Sequence, residues 1–144
     1  MALVRSIFEL EVFAKEVTAA LAPRGHTAVV MALYGDLGAG KSAFVKALAK
    51  ALGVSGIVTS PTFVLQKIYP LQNQKFERLI HIDAYRLESP KELRQLRFEK
   101  TAKDPKNLIV VEWADRVKES LPRDAVKIHF AFVDETTREI TIEV

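Results

Sequence analysis

The chain has 144 residues, of which 49% are hydrophobic and 27% are charged, a balance typical of one globular domain with its own core rather than of a disordered or fibrous protein. It contains no cysteine, which excludes disulfides and cysteine-ligated zinc or iron–sulfur centres. The formal net charge of +3 does not by itself indicate nucleic-acid binding.

The first third of the chain predicts a helix, a buried strand and a second helix. Ser6 and Glu9 have the spacing of a capping box, and apolar residues then recur at helical intervals until Pro23. Residues 28–34 are continuously apolar, as is typical of a strand buried on both faces of a parallel sheet. A second helical stripe follows a glycine-rich loop, and Gly53 stands where a C-terminal cap belongs.

The remainder predicts a mixed pattern of strands and one short helix. Ser60-Pro61-Thr62 begins a turn or loop, because proline restrains its neighbour. Since hairpins are antiparallel and strand–helix–strand units are parallel, we expect an α/β domain with a mixed, partly parallel sheet. The predicted elements are a hairpin (63–69 and 76–82), a helix from 89 to about 98, a buried strand (108–111) and a closing hairpin (126–132 and 140–144).

Residues 35–42, Gly-Asp-Leu-Gly-Ala-Gly-Lys-Ser, match the pattern G-x-x-x-x-G-K-[ST] of a P-loop. Glycines allow the backbone to approach an anion closely, so that its N–H groups and the following helix N-terminus converge on phosphates. The lysine supplies a charge for the β and γ phosphates, and the serine hydroxyl can bind Mg²⁺. The motif predicts a three-layer, P-loop NTPase-like fold with ATP and Mg²⁺ held at Gly35, Asp36, Leu37, Gly38, Ala39, Gly40, Lys41, Ser42 and Ala43.

Such a site needs a carboxylate at the end of a neighbouring strand. Glu112 and Asp83 each follow an apolar run and are the candidates. His81 has no histidine or cysteine nearby in the sequence, so we expect a buried, hydrogen-bonded residue rather than a metal ligand. Trp113 is either a core residue or a wall of the nucleotide site. Thr62 is either a turn residue or a hydroxyl that reaches the γ-phosphate or Mg²⁺.

Four segments together resemble the TsaE (YjeE) family. They are residues 35–42, 60–63 (Ser-Pro-Thr-Phe), 81–87 (His-Ile-Asp-Ala-Tyr-Arg-Leu) and 111–116 (Val-Glu-Trp-Ala-Asp-Arg). The resemblance covers essentially the whole chain, and it implies a small ATPase of the pathway that forms threonylcarbamoyladenosine at adenosine 37 of tRNA. It further implies action with the TsaD and TsaB subunits, which the ATPase supports or resets without performing the transfer itself.

The resemblance also implies roles for individual residues. Lys41 and the loop bind phosphates and contribute to catalysis, Ser42 and Glu112 hold Mg²⁺, and Asp83 orients the attacking water. Four further residues are implied to contact the nucleotide or close over it: Ser6, Thr62, Trp113 and Arg138.

The chain departs from the family pattern at two positions. Ser42 stands where threonine is common, and it keeps the hydroxyl. Arg97 stands where a glycine is usual, which puts the role of that loop, and any partner contact that depends on it, in doubt.

Two other functions remain open from the residues alone. A P-loop kinase of a small molecule is disfavoured because 144 residues leave little to enclose an acceptor and exclude water. A nucleotide-dependent binding module with negligible turnover is the third possibility. A radiolabelled-ATP assay separates the three.

The sequence also predicts where the protein is located. The longest apolar run, residues 28–34, is far shorter than the ~20 residues of a membrane-spanning helix. The first residues show no secretory signal. We therefore expect one soluble, cytoplasmic P-loop ATPase domain over residues 1–144, without membrane or DNA contact, and with any tRNA contact made indirectly through its partners.

Six basic residues form either a solvated surface or a docking surface for an acidic or phosphate-rich partner: Lys91, Arg94, Arg97, Lys100, Lys103 and Lys106.

Overall fold

The computed structural model describes residues 2–36, 38–54, 66–72, 74–85, 87, 91–92 and 97–143. Seven strands form one sheet in this part of the chain. They are β1 (Ala2–Val4), β2 (Val29–Tyr34), β3 (Gln66–Pro70), β4 (Arg78–Asp83), β5 (Asn107–Glu112), β6 (Val126–Phe132) and β7 (Arg138–Glu143). The helices are α1 (Ile7–Ala20), α2 (Lys41–Ala51), α3 (Phe98–Ala102) and a 3₁₀ helix (Ala114–Ser120).

The strand order is β1-β7-β6-β2-β5-β4-β3. The central strand β2 lies parallel to both β5 and β6, and β4 lies parallel to β5. The pairs β3–β4, β6–β7 and β1–β7 are antiparallel. The predicted mixed sheet and both predicted hairpins are therefore confirmed. The parallel strands β2, β4 and β5 end at the same edge of the sheet, where the P-loop begins.

Two apolar clusters cover the two faces of the sheet. Alternate β2 residues such as Met31 and Leu33 pack with Phe44 of α2 and with α1. Val30 and Ala32 belong to the other cluster, which includes residues of α3 and of the 3₁₀ helix. Because β2 is buried on both sides, its sequence is continuously apolar. The arrangement is the predicted three-layer α/β architecture.

The ends of the first two helices confirm the capping signals. The Ser6 hydroxyl accepts a hydrogen bond from the Glu9 amide at 3.1 Å, and the Glu9 carboxylate accepts one from the Arg5 amide at 3.3 Å. At the end of α2, Gly53 has φ of +80°, and its amide donates to the Lys50 carbonyl at 3.0 Å. A left-handed glycine in this place satisfies carbonyls that the last helical turn leaves without partners.

The prediction of one continuous helix over residues 89–98 was wrong. Lys91 and Glu92 are helical, but Arg97 adopts a left-handed conformation with φ of +60°, and α3 begins immediately after it. The other predicted helical positions, 89–90 and 93–96, lie outside the described residues. A left-handed backbone suits glycine better than a residue with a Cβ atom.

Two further elements were not predicted. Strand β1 has three residues, too few to show alternation. The 3₁₀ helix directly follows β5. Strand β3 begins at Gln66, and the predicted strand positions 63–65 lie outside the described residues. None of the described helices is long and apolar enough to cross a membrane.

Candidate nucleotide and metal site

The P-loop connects the end of β2 to the start of α2. Gly35 has φ of +149°, and a Cβ atom there would lie 2.6 Å from the Phe130 carbonyl oxygen of β6, so only glycine fits between the loop and this strand. Gly40 caps α2 with φ of +103°. The first helical turn therefore starts at Lys41 and Ser42, and the positive end of the helix points at the loop. Leu37 lies outside the described residues.

A cavity of about 210 Å³ lies against the loop. The loop and two residues at the end of β5 line it together, as the parallel pairing of β2 with β5 requires. The structure thus brings together residues that are about seventy positions apart in sequence, as the Ser42–Glu112 contact shows. The lining residues are Gly38, Ala39, Gly40, Lys41, Ser42, Ala43, Glu112 and Trp113.

Lys41 lies inside the loop and is buried. Its ammonium group donates a hydrogen bond to the Gly35 carbonyl and lies 3.3 Å from the centroid of the Trp113 ring. Burial lowers the pKa of the Lys41 amine, and nearby carboxylates, that of Glu112 first, oppose this decrease. Like these carboxylates, a bound polyanion would favour the charged form of the Lys41 amine. The lysine is therefore positioned to exchange a carbonyl and an aromatic face for phosphate oxygens.

Trp113 forms a wall of the P-loop cavity and also packs against the apolar cluster on the opposite face of the sheet. The residue therefore contacts the core and also lines the cavity beside the P-loop. Its backbone is left-handed, with φ of +57°, which costs a tryptophan roughly 1–3 kcal/mol and is typical of functional sites. Its ring lies 4.9 Å from that of Tyr85, over which the Arg116 guanidinium lies at 5.0 Å.

Glu112 is 2% exposed and has a partner on each carboxylate oxygen. The Ser42 hydroxyl donates to Oε1 at 2.8 Å, and Nε2 of His81 lies 2.5 Å from Oε2. Burial alone would raise the pKa of Glu112, but the hydrogen bonds from His81 and Ser42 and the charge of Lys41 outweigh it and hold the pKa below its usual value. The carboxylate is therefore charged at neutral pH. The prediction that His81 is buried and hydrogen-bonded is confirmed.

The donor atoms at this point suit Mg²⁺. Among the described residues, no group of three His, Cys, Asp or Glu side chains could hold a metal ion on its own. Ser42 and Glu112 instead offer oxygen atoms within one hydrogen bond of each other. Mg²⁺ is usually bound by one or two protein oxygens together with phosphate oxygens and water. The pair fits a magnesium ion that arrives with a nucleotide.

Asp83 is the residue paired with Glu112 across the parallel strands β4 and β5. It is partly exposed, and its carboxylate accepts a hydrogen bond from the Tyr85 amide at 3.0 Å. It is not one of the described residues that line the P-loop cavity, and it lies just beyond Glu112 at the same sheet edge. Thr62 lies outside the described residues.

A second cavity of about 420 Å³ adjoins the P-loop. Gly40 and Ala43 line both cavities. Ser6 and Arg138 lie in its wall, and the Arg138 guanidinium donates to the Gly38 carbonyl at 3.2 Å. Most of the remaining wall is apolar, from β1, α1, β6 and β7. Sequence reasoning missed these wall residues, since nothing in their pattern distinguishes them from core: Val4, Ile7, Leu10, Phe130 and Ile140.

The family model described as threonylcarbamoyl adenosine biosynthesis protein TsaE matches residues 4–140. The chain belongs to this family. A protein of Bacillus subtilis named tRNA threonylcarbamoyladenosine biosynthesis protein TsaE is 38% identical over 126 residues, which cover 88% of this chain and 74% of that protein. The Streptomyces coelicolor protein of the same name is 39% identical over 97 residues, 67% of this chain and 64% of its own length.

A solved structure supports the same assignment. The crystal structure of YdiB from Bacillus subtilis matches with a TM-score of 0.71 and 29% sequence identity, over 98% of this chain and 82% of that one. The chain therefore shares its P-loop NTPase-like fold with this structure.

Proposed function

We propose that this TsaE-family chain is the ATP-binding and Mg²⁺-dependent ATP-hydrolysing subunit required for threonylcarbamoyl modification of adenosine 37 in tRNA, acting on a TsaD–TsaB complex. The proposal rests on one observation above all. In the P-loop cavity, the Ser42 hydroxyl and the buried Glu112 carboxylate are hydrogen-bonded to each other. A core would not require a charged carboxylate there, whereas a metal–nucleotide site does.

Binding would divide between the two adjoining cavities. The phosphates would occupy the P-loop cavity, where backbone N–H groups, the α2 N-terminus and Lys41 provide positive potential. The base would enter the larger, mostly apolar cavity, between α1 and strands β6 and β7. Ser6 and Arg138 lie in its wall, where they would close over the nucleotide. When bound, Mg²⁺ would neutralise charge on the phosphate oxygens.

For hydrolysis, a water molecule must be oriented toward the γ-phosphate. Asp83 is the candidate, because it lies beside Glu112 at the sheet edge that faces the loop. Its carboxylate is partly exposed and can thus accept a proton from water. Lys41 would stabilise charge on the transferring phosphoryl group.

ATP labelled at the γ-phosphate distinguishes hydrolysis from the alternatives. We expect label to be released as inorganic phosphate in the presence of Mg²⁺, and release to stop when EDTA is added. Label transferred to an added small-molecule acceptor would instead identify a kinase. Bound but uncleaved ATP, with or without the partner proteins, would identify a binding module.

The proposed partners can be tested separately from the chemistry. A pull-down from a lysate with the tagged chain, with and without ATP, should recover TsaD and TsaB. Recovery of neither protein under either condition would contradict the proposed assembly without affecting the nucleotide site.

A further inference from the structure

His81 is a polar residue in the interior of the sheet. It lies on β4, is 1% exposed and is flanked along the strand by the buried Ile80 and Ile82. Its Nε2 atom lies 2.5 Å from Oε2 of Glu112. Its other ring nitrogen, Nδ1, is buried and has no hydrogen-bond partner among the described residues. The bond to Glu112 is therefore the polar contact that satisfies this imidazole in the described structure.

Stability does not account for this pair of residues. A buried polar group without a hydrogen-bond partner destabilises the folded state, and one nitrogen of His81 is in that position. An aliphatic side chain, like those of Ile80 and Ile82, would avoid the cost. Replacing buried charged or polar pairs by well-packed apolar residues is often neutral or stabilising. The imidazole–carboxylate pair is therefore better explained by what it does to the carboxylate.

The geometry shows what that effect is. His81 is paired in register with Val110, two residues before Glu112, so its ring approaches the carboxylate from the interior of the sheet. Ser42 approaches the other oxygen from α2. A glutamate side chain that is ordered only on binding loses rotamer freedom at that step, which weakens binding. Held from both sides, Glu112 has already lost that freedom.

We propose that His81 is a positioning residue for the metal-binding carboxylate: its Nε2–H donates to Oε2 of Glu112 and so directs Oε1 toward Ser42 and the Mg²⁺ that accompanies the nucleotide. The inference rests on the proposed function, in which Glu112 holds the metal. An N–H donor at Nε2 fits the contact, because an ionised carboxylate only accepts hydrogen bonds. Partners of this kind typically change metal affinity by about 10- to 100-fold.

Two amide substitutions test the position of the donor. In His81→Gln the side-chain NH₂ can occupy the place of Nε2, whereas in His81→Asn it is one bond shorter and reaches only the place of Nδ1. Calorimetry measures the ATP affinity of each full-chain variant, once in Mg²⁺ and once in EDTA. The ratio of the two affinities is the enhancement by the metal. We expect His81→Asn to lose about 10-fold or more of this enhancement, His81→Gln to retain most of it, and all affinities in EDTA to match the parent.

A third substitution distinguishes the loss of the hydrogen bond from a folding defect. His81→Met fills the interior with an apolar side chain, and should fold, as judged by thermal unfolding, and lose the enhancement as His81→Asn does. The inference is overturned if His81→Asn or His81→Met keeps the parental enhancement. It is also overturned if these variants lose as much ATP affinity in EDTA as in Mg²⁺. Glu112→Gln serves as the reference. If Glu112→Gln keeps the enhancement, or if the parent shows none, the proposed metal site itself is wrong. If Glu112→Gln loses the enhancement while His81→Asn keeps it, only the proposed role of His81 is wrong.

Discussion

Asp83 and Glu112 are paired with each other at the carboxyl ends of the parallel strands β4 and β5. Paired residues of parallel strands project from the same face of a sheet, so the two carboxylates are neighbours. Their surroundings nevertheless differ. Glu112 is 2% exposed and bonded to Ser42 and His81, whereas Asp83 is partly exposed and accepts from the Tyr85 amide. The difference supports different roles for the two acids.

Substituting each acid by its amide should separate metal binding from chemistry. Glu112→Gln should weaken Mg²⁺-dependent nucleotide binding as well as turnover, because a metal ligand acts in the ground state and the transition state alike. Asp83→Asn should leave binding nearly intact and lower kcat by about 10²-fold, the scale of a lost general base. Calorimetry and phosphate release measure the two effects. Loss of Mg²⁺–ATP binding in Asp83→Asn, with normal binding in Glu112→Gln, would reverse the assignment.

The P-loop lysine should dominate nucleotide affinity. Lys41→Ala removes the ammonium group that lies within the loop, and we expect ATP affinity to fall by about 10-fold or more, as for the loss of a charge-assisted contact worth ~1.5–3 kcal/mol. Lys46→Ala is the matched control, since Lys46 lies on the same helix and is exposed. Affinity of Lys41→Ala within a factor of about two of Lys46→Ala in calorimetry would contradict the assignment of the motif.

Trp113 should report nucleotide binding by its fluorescence. It is the only tryptophan, and its ring contacts the Lys41 ammonium at 3.3 Å. Phosphate oxygens compete with the ring for the ammonium group, so we expect Mg²⁺–ATP to draw the lysine away from the ring and change the emission. Lys41→Ala should already differ from the parent without nucleotide. Unchanged parental emission at ATP concentrations that calorimetry shows to be saturating would count against this movement.

Arg97 should be replaceable by glycine with a gain in stability. Its φ of +60° is unfavourable for an L-residue by about 1–2 kcal/mol, part of which the greater entropy of an unfolded glycine offsets. Arg97→Gly should therefore raise the free energy of unfolding by roughly 0.5–1 kcal/mol in urea titrations. Arg97→Ala removes the same side chain but keeps Cβ, and should give no such gain. Equal stability of the glycine and alanine variants would show that the left-handed backbone is not what matters.

The sequence was sufficient for the features that depend on a continuous local pattern. The apolar run of β2 predicts a buried parallel strand with the P-loop after it, and the apolar run of β5 predicts a strand that ends in an acid at the same edge of the sheet. These patterns left both Glu112 and Asp83 as candidate acids. The burial of His81 follows from its apolar neighbours in the same way.

The features that the sequence did not predict depend on strand register or on single backbone conformations. The His81–Glu112 bond requires the register of β4 against β5, which apolar patterning does not specify. The apolar cavity depends on β1 pairing with β7, and three residues are too few to predict a strand. Neither Arg97 nor Trp113 is a residue type whose side chain signals a left-handed backbone.

The proposed dependence on partners is the central claim. Arg138 donates to the Gly38 carbonyl of the P-loop without lining the P-loop cavity, and Arg86, the candidate for an arginine acting in cis, lies outside the described residues. An arginine supplied by another protein can accelerate phosphoryl transfer by ~10³-fold or more. The most direct test is the rate of phosphate release from Mg²⁺–ATP by the chain alone and with TsaD and TsaB, with Lys41→Ala as the blank. We expect slow release by the chain alone and a rise of at least about 10-fold with both partners. Rapid release by the chain alone, unchanged when TsaD and TsaB are added, would contradict the account.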